Sequence, residues 1–292
     1  MGTVFALVLT YNRIDMLEKC LKAITSQTRP CDVILVIDNC STDATADYLA
    51  SNWADKARCY SLSKNIGAAG GFSAGLRLAF QQGADHIWVM DDDVIVEPGA
   101  LEAMLVADEA LERSQTPRSY LVSTVFSLEG EVTNVPTIER RRNKDGYERW
   151  PEQLQHGLIP INRAAFTSIL LPRRQLEQHG LPIRQMFIWG DDTDYTMRIT
   201  KDTPGYIVGA SRAVHARVSA GPIDIATENN KTRIGYHRLR VRNEMYVGRK
   251  HYSLLRTTAR HLLTAAKLVA AGKFAKAGII VRAFSMASDL VR

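Results

Sequence analysis

The stretch His86-Ile87-Trp88-Val89-Met90-Asp91-Asp92-Asp93 decides the fold. Four consecutive apolar residues of strand length suit a strand buried on both faces, as in a parallel sheet. That strand runs straight into three carboxylates. Outward from it, the chain alternates strand and helix. Residues 4–9, 33–37 and 58–62 are short apolar or mixed runs that read as strands. Residues 14–24 place Ile14, Leu17, Leu21 and Ile24 at helical spacing. Residues 42–51, capped by Ser41 or Thr42, and 71–82 are further helices. Pro98 opens a helix over 99–111. This pattern predicts an α/β chain with a mostly parallel, doubly wound sheet.

Such sheets bind ligands beyond the carboxyl ends of their strands. The polar clusters fall there: Thr10-Tyr11-Asn12-Arg13, Asp38-Asn39, Asn65-Ile66-Gly67 and the aspartate triplet. The middle of the chain is less regular. Residues 130–157 read as a polar loop or lid shaping an acceptor side, 166–171 and 206–209 as strands, and 173–179 and 192–200 as short helices.

Three adjacent carboxylates repel one another unless a cation lies between them. Mg²⁺ or Mn²⁺ prefers oxygen ligands and also grips phosphate. Strand alternation turns Asp91 and Asp93 to one side and Asp92 to the other. A solvated acidic turn is the alternative. Residues 65–75 are glycine-rich, which permits close backbone approach to a phosphate or, equally, close helix–sheet packing. Asp191-Asp192, behind Trp189, offers a base for a hydroxyl and an aromatic face for a sugar. Helix capping and an Asp194–Arg198 pair are the plain reading of the same residues. His215 by itself reads as a hydrogen-bonded structural histidine.

The chain has 292 residues, 46% hydrophobic and 23% charged, which excludes a disordered or fibrous protein. Its net charge of +6 hides an asymmetry: residues 231–292 hold 14 Lys and Arg against two acids, a net of +12, and the first 230 residues carry −6. A uniformly basic nucleic-acid binder is excluded, and RNA-binding signatures are absent. Four cysteines without a CxxC pair do not suggest zinc. The GxGxxG, GKS/T, GxSxG and HExxH patterns are missing. The opening residues read as a first strand and not a leader, and no apolar run reaches the roughly 18 residues that span a bilayer. A cytoplasmic chain is the expectation. From residue 254 two amphipathic helices, broken near Gly272, place Leu255, Ala259, Leu262, Ala266 and Val269 on one face, with Arg256, Arg260 and Lys267 mainly on another.

The order LTYNR, VIDNCSTD, NIGAAGGFSAGL, WVMDDDV, FIWGDDTDYTMR and a later His resembles family 2 glycosyltransferases of GT-A fold over roughly residues 3–250. It is most similar to their bacterial galactofuranosyltransferase and rhamnosyltransferase branch. The resemblance implies a catalytic domain over 1–250, with a nucleotide half 1–113 and an acceptor half 114–250, and a basic helical tail over 251–292. It implies that Thr10, Tyr11, Arg13, Asp38, Asn65, Gly67, Gly70, Asp91 and Asp92 bind the donor. Asp93, Asp91 and His215 then hold Mn²⁺ or Mg²⁺, Asp192 is the base and Trp189 meets the acceptor. Here the acidic pair is Asp191-Asp192, so which carboxylate is the base stays open. The implied activity is inverting transfer of a sugar, UDP-galactofuranose being the favoured donor and dTDP-rhamnose the alternative. The acceptor is a lipid-linked or polysaccharide glycan of the bacterial surface. The cationic tail suits the anionic inner face of the cytoplasmic membrane, or else packs on the catalytic domain or dimerises. Different classes remain open: a nucleotidyltransferase-like protein, a sugar-nucleotide-binding protein without catalysis, or a membrane scaffold. The segment Arg240-Val241-Arg242-Asn243 resembles one common in the branch and carries no role from sequence.

Overall fold

All seven side chains of β1 (Val4–Thr10) are buried, which only a strand inside a covered sheet allows. A computed structural model describes residues 2–217 and 223–286. After β1 come α1 (Ile14–Thr25), β2 (Val33–Asp38), α2 (Thr45–Asn52), β3 (Arg58–Ser61), α3 (Gly67–Gln81) and β4 (His86–Asp91). Then follow β5 (Val94–Val96), α4 (Ala100–Arg113), β6 (Leu121–Phe126), β7 (Val132–Thr133), β8 (Thr137–Ile138), β9 (Leu158–Arg163) and β10 (Ile169–Pro172). The chain continues through α5 (Arg173–His179), α6 (Asp191–Ile199), β11 (Gly205–His215), α7 (Lys231–His251), α8 (Leu254–Ala270) and α9 (Phe274–Ala283).

The strands form one sheet in the order β3-β2-β1-β4-β10-β6-β11-β9-β8. β3, β2, β1, β4, β6 and β11 share a direction, and β10 is inserted antiparallel between β4 and β6. The sheet is thus mostly parallel, as the alternation predicts. Val4, Ala6 and Val8 pack towards α1, α2 and α4 on one face. Phe5, Leu7 and Leu9 pack towards α3, α5 and α6 on the other.

Several local expectations change. The glycine-rich segment is helix, not loop: α3 begins at Gly67, and Gly70, Gly71 and Gly75 are buried within it. A Cβ on Gly75 would stand 2.5 Å from Leu7 and 2.9 Å from Ile37, so this glycine brings the helix against the sheet. The first residue before α2 is Ala44; neither Ser41 nor Thr42 caps it, and Asp43 accepts from Thr45 N–H at 3.0 Å. β11 runs on to His215 across a bulge between Val208 and Arg212. The 130–157 segment contains β7, β8 and a 3₁₀ turn at Trp150–His156.

The tail helices break at Gly272, which has φ +71. They pack through the opposite face to the one marked by Leu255. Thr257, His261, Ala265 and Leu268 are the buried side of α8. Leu255, Ala259, Leu262, Ala266 and Val269 face solvent. Packing favours the other side because α7 and α9 supply the matching surface: Val241, Met245, Ala265, Leu268, Ala277 and Ile280 form one cluster. The end of the expected tail, 287–292, lies outside the described residues. Among those described, no helix is long and apolar enough to cross a membrane.

Candidate active site

The aspartate triplet and His215 meet because of one short ladder. β5 pairs antiparallel with the end of β11, setting Val94 opposite His215. Ala216 N–H donates to the Asp93 carbonyl at 2.8 Å. His215 Nε2 therefore stands 3.1 Å from Asp93 Oδ1. One atom from each of Asp91, Asp93 and His215 falls within a 4.8 Å cluster. Asp93 Oδ1 has no hydrogen bond although it is buried. His215 Nδ1 lies 2.8 Å from Asn134 Oδ1. Donating there puts the proton on Nδ1 and leaves Nε2 a lone pair aimed at a carboxylate. That arrangement is repulsive alone and fits a shared divalent cation held by two carboxylates and one imidazole.

Neighbours tune these acids. Arg13 Nη1 reaches Asp93 Oδ2 at 2.8 Å and Asp92 Oδ1 at 3.2 Å, and Thr10 Oγ1 donates to Asp92 Oδ2 at 2.7 Å. Burial pushes Asp92 up to about 6 against the pull of Arg13. Asp91 is raised well above the usual carboxylate range by burial and by the charges of Asp93 and Asp92.

The second polar cluster lies past β2. Asp38 is buried, accepting from Ser41 N–H at 2.9 Å and Ser61 Oγ at 3.1 Å. Asn65 Oδ1 accepts from Gly67 N–H at 2.8 Å and from Asn39 Nδ2 at 3.2 Å. Asn12, at φ +55, accepts from Thr42 N–H at 2.7 Å and ties this loop to the one after β1. Tyr11 is exposed on that rim. Gly67 and Gly70 serve packing here. A Cβ on Gly67 would lie 2.1 Å from the Phe187 carbonyl, and one on Gly70 would meet Ile66.

Asp191 and Asp192 are the first two residues of α6, and Gly190 occupies the cap position, so neither aspartate caps the helix. Asp192 Oδ1 instead accepts from Thr193 N–H at 2.6 Å. Burial raises both carboxyls; Asp191 reaches about 8, helped by the charge of Asp192. Asp194 is fully buried. It lies 3.6 Å from Arg198, as the spacing predicts, but is held more closely by Lys250 at 3.1 Å and His251 at 2.9 Å.

Asp192, Trp189 and His215 line one cleft of about 1260 Å³. The 127–134 hairpin forms one wall and α7 with the start of α8 another, contributing Arg240, Glu244, Arg256 and Arg260. Asp191 does not line it, so Asp192 is the carboxylate that faces the space. Only the start of the 130–157 segment borders this cleft. Its Glu139, Arg141, Arg149 and Glu152 line a separate recess with Asp202 and Tyr206. Sequence reasoning did not find Asn134, Arg163 or the α7–α8 wall, which carry no motif at readable spacing.

The chain matches the family model described as glycosyl transferase family 2 over residues 6–170. It belongs to that family. It is 30% identical over 209 residues to galactofuranosyltransferase GlfT1 of Mycobacterium tuberculosis, covering 68% of this chain and 65% of that protein. It is 37% identical over 203 residues to GlfT1 of Mycolicibacterium smegmatis, with the same coverage of both chains. The chain thus spans about 65% of the length of these curated relatives. Among solved structures it resembles GalNAc-T7 with UDP, GalNAc and Mn²⁺, at TM-score 0.62 and 15% identity over 86% of this chain and 49% of that one. It also resembles residues 1–349 of Staphylococcus aureus TarS in complex with UDP, at TM-score 0.54 and 14% identity over 91% of this chain and 70% of that one. At such identities these likenesses establish the GT-A fold and nothing finer.

Proposed function

We propose that the chain is an inverting glycosyltransferase that moves galactofuranose from UDP-galactofuranose to a glycan or lipid-linked acceptor of the bacterial surface. The observation that carries this is that His215, which clusters with Asp91 and Asp93, lines the same cleft as Asp192. The relatives' names favour galactofuranose over rhamnose.

Asp91, Asp93 and His215 would hold the divalent ion. When bound, it neutralises the diphosphate as negative charge builds on the leaving group. Thr10, Tyr11, Arg13, Asp38, Asn65 and Asp92 form the donor side, with Gly67 and Gly70 shaping it through their close packing on Phe187 and Ile66 and Arg13 a further cation near the phosphates. Asp192 takes the proton of the acceptor hydroxyl while that oxygen bonds to the anomeric carbon. The bond from that carbon to the phosphate oxygen breaks on the opposite face, and UDP departs. Trp189, on the same cleft, packs on the acceptor sugar. Single displacement inverts the anomeric centre.

The exposed apolar face of α8 supports a membrane role for the tail. Leu255 is 80% exposed, and Leu262 and Val269 lie along the same side. Arg256 and Arg260 flank it and also line the cleft. An α8 laid on the anionic inner face of the cytoplasmic membrane brings the cleft to a lipid-linked acceptor. Residues 1–250 then act as catalytic unit and 251–292 as docking tail.

The test is a donor screen with Mn²⁺ or Mg²⁺, following nucleotide release from UDP- and dTDP-sugars with a synthetic glycolipid acceptor. UDP-galactofuranose should turn over and EDTA should stop it. Turnover of dTDP-rhamnose alone, or activity untouched by EDTA, contradicts the reading. Loss of co-sedimentation with anionic vesicles on Leu255→Ser/Leu262→Ser substitution supports docking, and unchanged binding refutes it.

A further inference from the structure

The loop that presents Trp189 and the Asp191-Asp192 pair has a strained backbone. Phe187, Trp189 and Gly190 stand at φ +65, +60 and +108. Two of the three carry side chains in the left-handed region, a strain that persists only where the surroundings offset it.

Besides the Ala69 N–H bond to the Phe187 carbonyl at 3.1 Å, two neighbouring side chains of α7 hold this loop. Asn243, on α7, is completely buried. Its Nδ2 lies 2.9 Å from the Met186 carbonyl, 3.0 Å from that of Ile188 and 2.8 Å from that of Trp189. Its Oδ1 accepts from Arg242 Nε at 3.1 Å, which turns the amide so that the nitrogen faces the loop. Arg242 Nη2 reaches the carbonyls of Gln185 at 2.7 Å and Met186 at 3.2 Å. The pair therefore grips the carbonyls of residues 185, 186, 188 and 189. Gly190 permits this approach, since a Cβ there would lie 3.2 Å from Asn243 Cβ.

We infer that Asn243, oriented by Arg242, is the positioning residue that holds the 185–190 loop in its strained form and so sets Trp189 and Asp192 against the acceptor. The inference rests on the proposed transfer reaction for its kinetic consequence, though not for the clamp itself. Asn243 touches no reacting atom. The donor corner around Asp93 and His215 is built on other elements, so its loss falls on turnover and acceptor use.

The experiment compares Asn243→Ala and Asn243→Asp with Met245→Ala, which weakens the α7–α8–α9 cluster without contacting the loop. Asn243→Asp keeps the volume and replaces the amide donor with an acceptor facing three carbonyls. Amide hydrogen exchange over residues 185–193 and steady-state kinetics are read on the folded full chain. Both Asn243 variants should speed exchange in that segment and lower kcat on the order of 10²-fold, the cost of about 1 Å of misplacement. The donor KM should stay within about threefold, and Met245→Ala should lower Tm with neither effect. Exchange unchanged in both Asn243 variants overturns the clamp. Faster exchange with unchanged kcat, or a kcat loss matched by Met245→Ala at equal Tm, overturns the positioning role. If the wild type transfers no sugar from any donor, the reaction assigned above fails, and the exchange comparison still decides the clamp.

Discussion

His215 Nε2 lies 3.1 Å from Asp93 Oδ1, an acid atom that has no hydrogen-bond partner. The strand ladder fixes the backbone of both residues, and Asn134 fixes the ring through Nδ1 at 2.8 Å. Removing the group that orients a metal-ligating histidine typically costs about 10–100-fold in metal affinity. Asn134→Ala should weaken Mn²⁺ binding by that factor in the presence of UDP, measured by Mn²⁺ electron paramagnetic resonance titration. Equal affinity would show that Asn134 does not orient the ligand.

Asp191 has its carboxyl raised from 3.8 to about 8, by burial first and the charge of Asp192 second. A raised acid keeps its proton in the folded chain while the unfolded chain has lost it. Stability therefore falls as pH rises from 3.8 towards 8. Asp191→Asn should raise Tm at pH 8, and the gain should vanish near pH 4. Calorimetric scans across that window check the sign, and a lower Tm at pH 8 would reverse it.

Glu244 behaves oppositely. Burial works against its charge, but His261, Arg240 and Arg260 outweigh it and lower the carboxyl from 4.5 to about 2. Its stabilisation is complete above pH 4.5 and is lost as pH falls towards 2. Arg260 Nη2 and Arg240 Nε each lie 2.7 Å from it, joining α8 to α7. Glu244→Gln should cost about 1.5–3 kcal/mol at neutral pH, the usual worth of hydrogen bonds to a charged group. Urea unfolding at pH 7 and near pH 2 should show the difference shrinking at the lower pH.

Gly75→Ala tests the packing of α3 on the sheet. The added methyl would stand 2.5 Å from Leu7 and 2.9 Å from Ile37. Overpacking of this kind costs about 1–3 kcal/mol. An unchanged unfolding midpoint would mean that the helix shifts freely.

β1, β2 and β4 were legible because their residues are apolar almost without a break, as two-sided burial requires, and β3, whose four residues are exposed, was legible only from its place in the alternation. The acids at their ends were legible because β–α alternation points every strand the same way. α7 was not. Its buried positions include His237, Arg242 and Asn243, and polar residues that satisfy backbone carbonyls leave no hydrophobic periodicity. β11 seemed to stop at Gly209 because its bulge interrupts the alternation before His215. The packed side of α8 was hidden for a related reason. Hydrophobicity marks a face that wants to leave water, but not what it leaves water for. The side that packs is polar at Thr257 and His261.

The central claim is that Asp192 acts on the acceptor while a separate cluster holds the donor. Turnover and donor affinity measured together on Asp192→Asn test it most directly. The account predicts that transfer falls by about 10²–10⁴-fold, the range for loss of a general base, with the affinity for UDP and Mn²⁺ unchanged by titration calorimetry. Near-normal transfer with intact donor binding would contradict it.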